Sequence, residues 1–264
     1  MPALFTLPLI AVDIGNSRSK LGLFEAFPAD TALPWPVTTL TLSGPDWPVE
    51  ELLAWLKALV PETPWQIASV NRPGLQRLTE FLGKHRPTTP WRALAHDDLP
   101  IHIALKEPQS VGLDRLAGAV GANRLKRSDQ PAIVVDLGSA TTIDVVSADG
   151  AFLGGAILPG MSMAARALHD LTDALPLIAP DDSAQPPALG ISTSGAIRSG
   201  LYWGAIGAIK ELVKQLSRDM TPPPRLLLTG GGAESVVGHL GVDALHVPHL
   251  VLQGIALASA AERP

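Results

Sequence analysis

LIAVDIGNSRSKLGLF, residues 9–24, sets the pattern on which the chain is built. Apolar residues lead into one carboxylate, Asp13; a glycine and small polar residues follow, then Lys20 and a second apolar run. The pattern predicts a strand, a tight turn and a returning strand, with Asp13 exposed where the first strand ends. Gly15 opens backbone angles closed to other residues and keeps side-chain bulk away from a ligand. Asn16, Ser17 and Ser19 offer short hydrogen-bonding groups, and Arg18 or Lys20 can neutralise an anion. A carboxylate suited to hydrated magnesium, beside donors for phosphate oxygens, is what a nucleoside triphosphate requires. Taken alone, the segment also reads as an ordinary polar hairpin turn.

A second copy shifts the balance toward a phosphate site. Residues 133–146 read IVVDLGSATTIDVV, which puts Asp136, Gly138 and Ser139 in the places of Asp13, Gly15 and Asn16. Similarity at so long a separation predicts two related lobes and not a short-period solenoid. Lobes that face one another would bring both carboxylate-bearing turns to one cleft. The lobes are placed at residues 1–117 and 118–264, with the repeated motif of the second beginning near Pro131.

The surrounding chain supports an α/β architecture. Helical spacing over residues 50–60 puts Leu52, Trp55, Leu56 and Leu59 on one face, so Trp55 reads as core. A short buried strand is expected at 66–70, a helix around 75–82 and a strand at 101–105. Residues 28–48 read as a loop with an edge strand, and 175–185 as a loop long enough to be a flap over a site. In PQSVGLDRLAGAVGANRL, starting at Pro108, Ser110 is a candidate N-cap, and Asp114 and Arg115 fall in the first helical turn. An acid there is either a dipole stabiliser or a base projecting into the cleft, and spacing does not separate the two. Ser139, Thr141 and Thr142 supply hydroxyls to the second turn. A long helix follows Gly190, with Thr193 and Ser194 as N-cap candidates and a buried stripe of Ile197, Leu201, Ala205, Ala208, Leu212 and Leu216. Its small residues suit close packing against another helix, across a dimer included. TGGGA at Thr229 fits either a platform for a nucleotide base or a tight strand-to-helix turn. PHLVLQGIALASA reads as a final helix or a strand-to-helix element.

Composition narrows the function classes. Hydrophobic residues make up 46% of the 264 and charged residues 17%, the balance of a globular chain. A net charge of -5, with no Lys/Arg block, points away from nucleic acid. Without cysteine there are no disulfides or thiolate metal sites. His246 and His249 are separated by Pro248 and read as ordinary exposed residues. MPALFTLPLIAV lacks a basic leading region and reads as a first strand, not a signal peptide. No apolar run reaches a membrane span, so a soluble cytoplasmic protein is expected.

DIGNSRSK at Asp13, GLDR at Gly112, DLGSATTIDVV at Asp136, GGAILPG at Gly154, GISTSGAI at Gly190, TGGGA at Thr229 and PHLVLQG at Pro248 occur in that order along nearly the whole chain. Together they give it a strong resemblance to the type III pantothenate kinases, the family that also includes proteins labelled Bvg accessory factor. The resemblance implies the duplicated ribonuclease H-like fold of the acetate and sugar kinase, Hsp70 and actin superfamily, and a homodimer with active sites near the subunit interface. It implies ATP-dependent phosphorylation of pantothenate to 4'-phosphopantothenate, the first step of coenzyme A biosynthesis, with magnesium and a monovalent cation, potassium or ammonium.

Carried over by position, Asp13, Ile14, Gly15, Asn16, Ser17, Arg18, Ser19 and Lys20 would hold the ATP phosphates, with Asp13 near magnesium. Gly112, Leu113, Asp114 and Arg115 would bind pantothenate, with Asp114 as proton acceptor. Asp136 matches the monovalent cation ligand, and Thr193 a pantothenate contact. Ser139 stands where the family usually has an ATP-contacting Thr and keeps its hydroxyl. Leu105 stands where a substrate-binding Tyr is usual. The alternatives are a kinase or phosphatase of the same superfamily with another small substrate, and a catalytically silent nucleotide-binding regulator. A chaperone ATPase fits less well, since no separate peptide-binding region or long linker is evident.

Overall fold

The computed structural model describes residues 7–26, 33–44, 46–179, 185–241 and 243–260. The chain divides into two compact units, Met1–Leu125 with His249–Pro264, and Lys126–Pro248.

In unit 1, strands β1 (Leu9–Ile14), β2 (Arg18–Phe24), β3 (Thr38–Ser43), β4 (Trp65–Ser69) and β5 (Trp91–Ala93) form one sheet in the order β3-β2-β1-β4-β5. Central β1 is antiparallel to β2 and parallel to β4. Its LIAVDI sequence is apolar at both alternating sets because both of its faces are covered. Ile10, Val12 and Ile14 join Leu52 and Leu56 of α1 (Val49–Leu56) and Leu78, Phe81 and Leu82 of α2 (Arg72–His85) in one core. The alternate set, Leu9, Ala11 and Asp13, therefore lies on the opposite face. Helix α3 (Leu113–Leu125) completes this part, with Leu116, Ala117, Ala119, Val120 and Ala122 buried as its sequence predicts.

Unit 2 repeats the plan. Strands β6 (Ala132–Leu137), β7 (Ala140–Val146), β8 (Phe152–Pro159), β9 (Arg225–Thr229) and β10 (Leu245–His246) are ordered β10-β9-β6-β7-β8. Again the central strand is antiparallel to the next in sequence and parallel to the one after the helical excursion. Helices α4 (Met161–Asp170), α5 (Thr193–Leu216) and α6 (Ala233–Val237) belong to this unit. Ile133, Val135, Leu137, Ile143 and Val145 pack with Tyr202, Ile206 and Ile209 of α5 and Val236 of α6.

The last helix, α7 (Leu250–Ala260), returns to unit 1. It packs against α3 and β1, and the buried Gln66 side chain on β4 donates from Nε2 to Ile255 O at 2.7 Å. Gln66 is in register with Ala11, so α7 covers the face of the sheet that carries Asp13. The division expected at residue 117 therefore differs from the one that packing draws. All of α3 stays in unit 1 because α7 clamps it: Gly121 lies against Leu250, and Gly254 against the Ala117 carbonyl.

Other differences have local causes. Residues 101–105 form no strand, only an isolated bridge at Ile103. Gly112, not Ser110, precedes α3; the Ser110 hydroxyl donates instead to Glu107 O at 2.7 Å. Helix α5 is capped by Ser192, whose side chain accepts from Gly195 N at 3.1 Å, so Thr193 and Ser194 are already helical. Of the expected stripe of α5, Ile197 is buried and Leu212 and Leu216 pack against the core, while the middle of the buried face runs through Tyr202, Ile206 and Ile209. Leu201, Ala205 and Ala208 instead line a groove of about 230 Å³ with Gly200, Gly204 and Leu158. The helix has two apolar faces, and the sheet takes the bulkier one. Residues 180–184 of the expected flap lie outside the described residues, as do residues 1–6 of the expected first strand and 27–32 of the following loop. No described helix is long and apolar enough to cross a membrane.

Candidate functional site

The turn between β1 and β2 is closed by Gly15 N–H donating to Arg18 O at 3.0 Å, and joined to the end of β3 by Gly44 N–H on Ser17 O at 2.9 Å. Among the described residues, the N–H groups of Asn16 and Ser17 donate to no protein acceptor, and both residues are exposed. Open N–H groups at the tip of a turn make a concavity for anions. Asp13 stands just before the turn, directly opposite Lys20 in register. It is half-buried and not exposed, because β4 flanks β1 and pairs Ala68 with it. Ile14 is buried, so only its backbone can meet a ligand. A groove of about 520 Å³ runs past the turn, its lining including Gly15, Asn16, Ser19, Asn71, Gly74 and Arg77.

Asp114 lies in the first turn of α3, and its Oδ1 accepts the Arg115 N–H at 2.8 Å. Burial pushes its carboxyl above the usual carboxylate range, against the lowering effects of that N–H bond and the Arg115 charge. A dipole stabiliser gains nothing from burial, whereas a proton acceptor is made more basic by it. Gly112 leaves room for this acid, since a Cβ there would collide with the Asp114 carboxylate. The same Cβ position is 3.3 Å from Val70 Cγ1, and Val70 N–H donates to Ile14 O at 3.0 Å. Val70 therefore joins the strand end before the β1–β2 turn to Gly112, ahead of Asp114. Leu113 is buried and can offer only backbone to a substrate. Leu105 is half-buried in a segment without regular structure.

Two polar side chains that sequence reading passed over hold these loops. His96 Nε2 is 2.8 Å from Val111 O, next to Gly112. The turn that carries His96 is fixed by Asp98, which is buried, pairs with Arg92 at 2.5 Å and accepts Ala95 N–H at 2.8 Å. Asn71 contacts the β1–β2 turn itself: Nδ2 donates to Gly15 O at 3.2 Å, while Oδ1 accepts Gly74 N–H at 3.1 Å. Asn71 before a Pro-containing helix start was a legible N-cap signal; its second bond, to a residue far back in the chain, was not.

In unit 2, Asp136 is in register beside Thr142 and Thr229. Gly230 has φ +90°, and a Cβ on it would collide with the Asp136 carboxylate. Gly232 N–H donates to Leu137 O at 3.2 Å, so TGGGA packs directly on the second carboxylate turn. Of the hydroxyls expected there, Thr141 is buried and Thr142 donates to Asp144 at 3.0 Å, leaving half-buried Ser139. Thr193 is exposed at the start of α5. His246 and His249 are half-buried, not exposed, and His249 makes an edge contact with Trp35. Among the described residues, no three His, Cys, Asp or Glu side chains gather into a metal site. Asp13 and Asp136, each a carboxylate beside a turn, fit cations that share their coordination with ligand oxygens.

A family profile described as type III pantothenate kinase matches residues 9–215. The type III pantothenate kinase of Desulfosudis oleivorans is 32% identical over 94% of this chain and 97% of its own length. That of Dehalococcoides mccartyi strain CBDB1 is 31% identical over 95% of this chain and 94% of its own. Among solved structures, a protein named for the Baf family of transcriptional activators, from Campylobacter jejuni, superposes with a TM-score of 0.58 at 20% identity, covering 95% and 96% of the two chains. The ethanolamine utilization protein EutJ of Carboxydothermus hydrogenoformans gives 0.50 at 17% identity, covering 98% and 91%. These structural likenesses show the fold alone, a mixed five-stranded sheet with flanking helices that is built twice along the chain.

Proposed function

The chain belongs to the type III pantothenate kinase family, and on that premise we propose how its own residues carry out the reaction. It is an ATP-dependent pantothenate kinase of coenzyme A biosynthesis, using ATP with a divalent metal. The Asn16 and Ser17 N–H groups, with Arg18, Ser19 and Lys20 beside them, cradle the phosphates, and Asp13 holds the accompanying magnesium. Bound with ATP, magnesium offsets phosphate charge. The residues Gly112–Arg115, with Leu105, receive pantothenate, and Thr193, exposed at the start of α5, holds the position of a family pantothenate contact. Asp114 takes the proton of its primary hydroxyl as that oxygen bonds to the γ-phosphorus and the bond to ADP breaks. Asp136 holds a monovalent cation, with TGGGA packed against it, and Ser139 keeps the hydroxyl of the family's ATP-contacting Thr. Leu105 gives up the hydrogen bond that a Tyr would make, so pantothenate is held more by Arg115 and backbone.

One observation carries the assignment of the base. Asp114 is a carboxylate made basic by burial, reached through Val70 from the strand end that opens the phosphate turn. The open small-residue face of α5 is where a second copy packs, in a homodimer. The test is ADP formation from ATP and magnesium, with and without pantothenate, by the wild type and Asp114→Asn. Wild-type turnover is expected to depend on pantothenate, and the variant to lose about 10²- to 10⁴-fold in kcat with its fold intact. A folded variant with full turnover would remove Asp114 from the role.

A further inference from the structure

We infer that Asn71 is a positioning residue for the phosphate turn, distinct from the groups that touch ATP. A helix N-cap needs only an acceptor, and Oδ1 of Asn71 supplies it to Gly74 N–H at 3.1 Å. The other end of the same amide is used as well, with Nδ2 donating to Gly15 O at 3.2 Å. The two bonds fix the orientation of the amide, since a flip would set oxygen against oxygen and N–H against N–H. The segment beneath it is also held. Ser69 Oγ accepts Asn71 N–H at 3.1 Å and donates to Asn71 O at 2.9 Å, and Val70 N–H is bound to Ile14 O.

The consequence follows from the planarity of the peptide bond. In a trans peptide the carbonyl of one residue and the N–H of the next point in opposite directions. Holding Gly15 O toward α2 therefore aims the Asn16 N–H away from it, and Asn16 N–H is one of the donors left open at the turn. Gly15 is the residue least able to hold this orientation alone, because its backbone is the most free. Asn71 removes that freedom before ATP arrives, so less ordering is needed on binding. The same segment lies beside Gly112 through Val70, yet the Asn71 amide itself bonds only Gly15 and Gly74, so its loss is expected to act on ATP and not on pantothenate.

This inference rests on the reading of the turn as the ATP phosphate site, and the experiment separates the two. Asn71→Ser and Asn71→Thr keep a side-chain oxygen for Gly74 N–H, but neither can span to Gly15 O as well. In the full-length protein, both are expected to raise the KM for ATP about five-fold, with the KM for pantothenate within about two-fold of wild type and melting temperatures close to it. Wild-type KM for ATP in both folded variants would overturn the inference and leave Asn71 a helix cap. If neither variant folds, the wild type answers by NMR. The Asn71 Nδ2 protons are expected to shift on adding ADP with magnesium and not on adding pantothenate, and no shift with ADP overturns the inference. A wild type that shows no pantothenate-dependent use of ATP would instead overturn the underlying assignment.

Discussion

A carboxylate made basic by burial costs stability in the pH range where it is ionised. Asp114 is raised chiefly by desolvation, with the Arg115 bond and charge only partly offsetting it. The folded state therefore binds its proton more tightly than the unfolded chain does. Stability falls as pH rises from the unfolded value through the higher folded one. Asp114→Asn removes the ionisation, so it is expected to melt higher than wild type at about pH 7 and to lose that advantage at about pH 4. Thermal melts at both values check the sign. In wild type, kcat/KM for pantothenate is expected to fall at acid pH with a midpoint above the usual aspartate range. The sequence placed Asp114 in the first turn of α3 but left the dipole-stabiliser and base readings equal. What it lacked was desolvation, which depends on Val70, Gly112 and the sheet behind them.

At the level of elements, α5 shows how periodicity fixes a helix yet leaves its facing open. Its helical span and its apolar residues were legible, but two apolar faces compete for one sheet. Tyr202, Ile206 and Ile209 bury more surface than alanines can, and so face inward. That leaves Gly200, Gly204, Ala205 and Ala208 along an open groove, where small side chains let a second helix approach closely. A Cβ at Gly204 meets nothing within 4 Å and Glu improves helix propensity, so Gly204→Glu tests the surface without harming the fold. It is expected to give a monomer by light scattering at concentrations where wild type is dimeric; an unchanged dimer would place the interface elsewhere. The other elements follow the same division. The residues of α1 and α2 declared their faces through spacing, whereas 101–105 alternates like a strand but forms no ladder.

Across the whole molecule, one plan is used twice. Both sheets share strand order and direction, and each puts an aspartate at the end of its central strand. The two sites then diverge, Asp13 beside open N–H groups and Asp136 beside TGGGA. If Asp136 serves a monovalent cation, turnover is expected to be faster in potassium than in sodium buffer, and Asp136→Asn to abolish the difference. Equal rates in both buffers for the wild type would withdraw that role. The sequence by itself determined the repeat, the strand–turn–strand units and the family, because alternation, glycine placement and motif order are properties of the chain read along its length. Only the tertiary structure decided which unit claims the last helix, which face of α5 stays open, how basic Asp114 is and what holds the phosphate turn. Each of these depends on groups distant in sequence meeting in space: Ala117 on Gly254, Tyr202 on the second sheet, Val70 on Gly112, and Asn71 on Gly15.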